Sequence, residues 1–93
     1  MKKGKERIIV EKVQTGVRME KRIVKIVKAL AEYYDTTPGD LLEGILLHVF
    51  EGKTPFSKES LKRIQELKRI YGLNLDASAS HRLDEENTEK RRR

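Results

Sequence analysis

Val13-Gln14-Thr15-Gly16-Val17-Arg18-Met19 leads almost directly into Ile23-Val24-Lys25-Ile26-Val27-Lys28-Ala29-Leu30-Ala31. After a short break comes Leu41-Leu42-Glu43-Gly44-Ile45-Leu46-Leu47-His48-Val49-Phe50. In the first stretch Val13, Thr15, Val17 and Met19 alternate with Gln14, Gly16 and Arg18, the period of two of a strand with one face on a core and the other turned to a partner. Ile8, Ile9 and Val10 precede it without keeping that parity, so they either extend the strand through a bulge or form a separate strand turning at Thr15-Gly16. Thr-Gly is a poorer hairpin turn than Asn-Gly and leaves only 17–19 for the return, which favours one strand.

The period then changes. Ile23, Ile26, Val27, Leu30, Ala31 and Tyr34 recur at helical spacing, with Lys21, Lys25, Lys28 and Glu32 on the other side. Asp35-Thr36-Thr37 interrupts the pattern, and the restart is marked by Thr37 as N-cap, Pro38 at the first helical position and Asp40 in an imperfect capping box. The second helix carries Leu41, Leu42, Ile45, Leu46, Val49 and Phe50, with Leu47 widening the face beyond what one neighbouring helix can cover. Ser57 opens a third helix with Phe56 and Leu61 as a hydrophobic staple. Its stripe is Leu61, Ile64, Leu67 and Tyr71, and Gly72 ends it. The charge-rich remainder lacks apolar periodicity and reads as a flexible tail. The chain thus divides into a basic arm (1–12), a core (13–53), a third helix (54–76) and a charged tail, disordered when free (77–93).

Charge is distributed unevenly along the 93 residues: net +5 over 1–22, −2 over 23–56 and +3 over 57–93, for +6 in all. A basic N-terminal segment beside a candidate strand fits attraction to phosphates. The absence of cysteine excludes disulfides, thiolate nucleophiles and Cys-based zinc sites. The longest apolar run, 41–50, is broken by Glu43, Gly44 and His48 and falls short of the roughly 20 residues of a membrane span. The basic start has no following apolar stretch of signal-peptide length, so a cytoplasmic protein with no membrane association is expected, nucleoid-associated when bound. No nucleophile or paired carboxylate can be placed beside His48, and no Gly-rich phosphate loop is present. Neither an enzyme nor a cofactor is therefore expected. Tyr33 and Tyr34 read as boundary and core packing, with only Tyr33 exposed.

The strand and the first two helices span roughly 40 residues, a size at which one chain rarely folds without metal, disulfide or partner. A homodimer is the remaining remedy, and pairing of the lone strand with its copy would satisfy the strand's backbone.

Thr15-Gly16-Val17-Arg18-Met19, the 23–34 helix containing Leu30-Ala31-Glu32, the short turn and the helix from Thr37 to Phe50 resemble the ribbon-helix-helix class of prokaryotic DNA-binding proteins. The likeness covers about residues 13–52. It implies a mainly α fold with one short strand: a ribbon-helix-helix core forming an intertwined dimer, extended here by the third helix and tail. It also implies that the paired strands enter the DNA major groove, with Gln14, Gly16 and Arg18 at the base-contacting positions, and that the amides around Thr37, Pro38 and Gly39 hold a phosphate. Gly16 lacks a side chain, Asp35 stands where the family often has Gly, Pro38 has no N–H and Asp40 is negative, all departures from the pattern. Arg and Gln nevertheless suit bidentate readout of guanine and adenine. Lys12, Lys21, Arg22, Thr37 and Gly39 are the expected phosphate contacts. The resulting expectation is a sequence-specific, double-stranded DNA-binding regulator. The alternative is a helical interaction module, antitoxin- or adaptor-like, that takes a protein partner on the third helix and tail.

Overall fold

Caps and apolar spacing resolve into three helices in the computed structural model, which describes residues 6–86. These are α1 (Lys21–Tyr33), α2 (Pro38–Phe50) and α3 (Lys58–Tyr71), followed by a single 3-10 turn at Ala77–Ala79. Each helix begins where a side-chain oxygen takes up amides that the first turn leaves without partners. Thr37 Oγ1 accepts the Asp40 amide at 3.1 Å, and Ser57 Oγ accepts that of Ser60 at 3.1 Å. The α1 cap is Glu20, whose carboxylate accepts from Arg22 and Ile23. All three helix ends reverse the chain through left-handed residues, that of α2 at Gly52 (φ 73°). Gly72 (φ 70°) ends α3, while Asp35 (φ 59°) follows α1 and lets Thr36 donate back to Ala31 at 2.8 Å.

Helix α1 is central: it packs on both α2 and α3. Among the described residues the buried core consists of Ile26, Leu30 and Ala31 of this helix, with Ile26 and Leu30 on one face at i and i+4 and Ala31 turned about 100° from Leu30. Burying Ile26 and Leu30 contributes about 1.5–3 kcal/mol each. By contrast no residue of α2 is buried. Leu46, Leu47, Val49 and Phe50 are 48, 66, 51 and 76% exposed.

The expected strand over 13–19, and with it the ribbon-helix-helix core and intertwined dimer, is corrected by this fold: there is no strand among the described residues. Residues 6–20 run without turn, bend or helix, and none of 6–19 engages in a backbone–backbone hydrogen bond among the described residues. The physical reason is that alternation fixes only which side chains share a face, whereas a strand also needs a neighbouring backbone to complete its ladder. No segment of this chain supplies one among the described residues. The apolar face read from the alternation is accordingly uncovered, with Val13 80% and Val17 70% exposed.

Candidate nucleic-acid interface

The basic segment approaches the helices along the N-terminal ends of α1 and α2. Gln14, Gly16 and Arg18 are all exposed on the irregular segment, not aligned on a ribbon. Lys21 is exposed at the first position of α1, and Arg22 beside it is half-buried. Thr37 and Gly39 are exposed at the start of α2, but the Thr37 hydroxyl is already engaged as the helix cap. Lys12 joins the two regions.

Three of these cations are paired with carboxylates of the same chain. Lys12 Nζ donates to Asp40 Oδ1 at 3.1 Å and to Glu43 Oε1 at 3.0 Å, tying the basic segment to the first two turns of α2. The hydrogen bond to Glu43, then that to Asp40, raises the ammonium's pKa. Arg18 Nε donates to Glu85 Oε1 at 3.0 Å, and Nη2 donates to the second oxygen, a bidentate pair across 67 residues of sequence. That pairing raises the guanidinium's pKa as well. Arg22 is held from two sides, its Nε donating to Glu20 Oε2 at 2.8 Å and its Nη1 to the Gly72 carbonyl at 2.7 Å. The last bond fastens the start of α1 to the end of α3.

Burial pushes the Glu20 carboxyl upward. The Arg22 side chain and the amides of Ile23 and Arg22 together outweigh this and hold it below its ordinary range. Asp76 is also held low, by the Ser78 hydroxyl first and the Ser78 amide second.

The aromatic pair lies at the opposite end of α1. Tyr33 and Tyr34 meet edge to face at 5.0 Å, Arg63 stacks 3.9 Å over the Tyr33 ring, and Tyr34 Oη bonds Ser60 Oγ. Tyr33 is 54% and Tyr34 38% exposed. Both therefore line the boundary between α1 and α3, and Tyr34 is less enclosed than its place in the apolar stripe suggests. His48 Nδ1 lies 2.8 Å from the Gly44 carbonyl, one turn back along its own helix.

Sequence reasoning identified the cations but missed Glu20, Asp40, Glu43 and Glu85 as their partners. For Glu20 a signal exists, an acid immediately before the first amphipathic turn. For Glu85 none does, because its contact depends on the path of the chain after α3. Among the described residues no group of three or more His, Cys, Asp or Glu is placed to hold a metal ion, and no helix is long and apolar enough to cross a membrane. Comparison with known protein families, with curated proteins and with solved structures finds no match.

Proposed function

We propose that the chain is a double-stranded DNA-binding protein of the regulator type. The observation that carries this reading is the exposed, irregular segment 6–19, which presents Arg7, Lys12 and Arg18 beside Glu6 and Glu11 and leads to Lys21 and Arg22 at the start of α1, within the stretch 1–22 of net charge +5. An irregular basic segment of this kind follows a phosphate backbone without helix or sheet of its own, and Arg18 and Gln14 supply donors suited to base edges. The protein acts in the cytoplasm, on the nucleoid when bound, and as a homodimer whose second copy covers the exposed face of α2. Support for the dimer comes from the small core, confined to three residues of α1, beside four large apolar side chains of α2 left about half exposed or more.

That same α2 face favours a second reading, an interaction module whose main partner is another protein. A titration of the full chain against a mixed-sequence duplex at several salt concentrations separates the two. A DNA-binding protein gives log affinity falling linearly with log salt, by about 0.9 for each phosphate neutralised. No binding at low salt leaves the interaction module.

A further inference from the structure

Lys12, Arg18 and Arg22, three of the cations offered to DNA, are occupied in the free chain, and the partner of Arg18 belongs to a segment outside the three-helix packing. We propose that the segment after α3 is an intramolecular competitor for the duplex: Glu85 holds Arg18 in the free protein, and DNA binding displaces it. This inference rests on the DNA-binding reading above.

The path of the segment is built from local bonds. Gly72 turns the chain at the end of α3, with the Leu73 amide returning to the Lys68 carbonyl at 2.8 Å. Asp76 caps the next turn through Ser78, taking its amide at 3.0 Å and its hydroxyl at 2.6 Å. A second left-handed residue, His81 (φ 67°), redirects the chain. Arg82 then fixes the turn from both backbone and side chain, its amide bonding the Ala79 carbonyl and its Nε the Ser78 carbonyl, each at 3.0 Å. The outcome places the Glu85 carboxylate on Arg18.

The chemistry of the contact makes it exclusive. Glu85 engages Nε and one terminal nitrogen of the guanidinium. A planar fork directed at two carboxylate oxygens is the geometry by which arginine also grips two phosphate oxygens or the O6 and N7 of guanine. Arg18 cannot satisfy both partners with that edge. The side chains are 82% and 58% exposed, so the pair is solvated and weak. Exposed pairs of this kind amount to between a slight and an about fivefold bias, enough to discourage a single non-specific phosphate encounter and too little to resist a duplex that engages several cations at once. The Lys12 contacts with Asp40 and Glu43 tie the N-terminal segment to α2 and do not involve the segment after α3.

The test uses the full-length chain, a mixed-sequence duplex at low salt, and four variants: Glu85→Gln, Glu86→Gln as a neighbour with the same charge change, Arg18→Ala, and Arg18→Ala combined with Glu85→Gln. Glu85→Gln is expected to bind about two- to fivefold more tightly than Glu86→Gln. That advantage should vanish when Arg18 is absent, so that the double variant exceeds Arg18→Ala by no more than Glu86→Gln exceeds the wild type. In the 15N-labelled protein without DNA, the Arg18 Nε–H resonance should move on Glu85→Gln and stay in place on Glu86→Gln. Equal gains from the two Gln variants, or an unmoved Arg18 resonance in a protein that binds duplex, overturn the inference alone. Absence of duplex binding by every variant overturns it together with the DNA reading, and a resonance that still moves then locates the fault in that reading and not in the contact.

Discussion

Glu20 binds Arg22 twice: one carboxylate oxygen accepts the Arg22 amide at 2.7 Å while the other accepts its Nε at 2.8 Å. The same oxygen that takes the amide also accepts from Ile23 at 3.1 Å. One side chain thus starts α1 and orients the arginine whose far end reaches Gly72 at the close of α3. Local capping and helix–helix registration are therefore coupled through one acid–base pair two residues apart.

This arrangement gives acid sensitivity of definite sign. The folded-state pKa of Glu20 lies below its ordinary value. Its contribution to stability is therefore fully present above the ordinary glutamate range and is lost as pH falls through the depressed folded value. Glu20→Gln keeps an acceptor at the cap but removes the ionisation, so its melting temperature should fall less between neutrality and the acid range than that of the wild type. Asp76, also held low, keeps its own acid dependence in both proteins. Parallel melting-temperature profiles for the two proteins would show that the Glu20 carboxylate does not contribute through its charge.

Leu30 is 3% exposed in the contact surface of α1 and tests the packing directly. Leu30→Ala should destabilise the protein by about 2–5 kcal/mol, the range for truncating a large core side chain. Lys28→Ala, on the exposed side of the same helix, is the control and should stay within about 0.5 kcal/mol. Chemical denaturation of both variants makes the comparison, and similar midpoints would mean that the helix is rotated away from the described face.

The parts of this fold legible in the sequence are those written in local chemistry. Thr37, Pro38, Ser57 and Gly72 mark helix ends because their caps bond residues at most five positions away, and Ile26, Leu30 and Ala31 follow from helical spacing. The segment 13–19 misled because side-chain alternation carries no information about a backbone partner. The occupied state of Lys12 and Arg18 was not legible for a related reason: their carboxylates lie 28, 31 and 67 residues away, and only the folded path brings them together.

The uncovered face of α2 makes stability depend on concentration if a second copy closes it. The thermal midpoint should rise with protein concentration, since association stabilises by mass action. Leu46 is 48% exposed in the single chain. In a dimer that buries it, Leu46→Ala should cost about 2–5 kcal/mol, well above the Lys28→Ala control. Sedimentation of a folded monomer at micromolar concentration, with a midpoint indifferent to concentration, would remove the dimer and leave the face to another protein.

Arg18 and the basic arm should contribute to DNA binding in different ways. Arg18 offers a fork of donors that can recognise a base edge, and removing one bidentate pairing with a base costs about 1–3 kcal/mol of discrimination. Residues 1–5, which lie outside the described residues, contain Lys2, Lys3 and Lys5, and a lysine ammonium is a point charge without the planar fork of arginine. Arg18→Ala should therefore narrow the gap in affinity between a selected duplex and a scrambled one. Deleting 1–5 should weaken binding to both duplexes alike and lower the salt slope by about 0.9 for each phosphate that is no longer neutralised. Titrating wild type and both variants against the two duplexes over a range of salt concentrations separates these effects. An equal weakening on both duplexes for Arg18→Ala, accompanied by a shallower salt slope, would reassign Arg18 to the phosphate backbone, and sequence discrimination would then have to come from Gln14 or from the shape of the DNA.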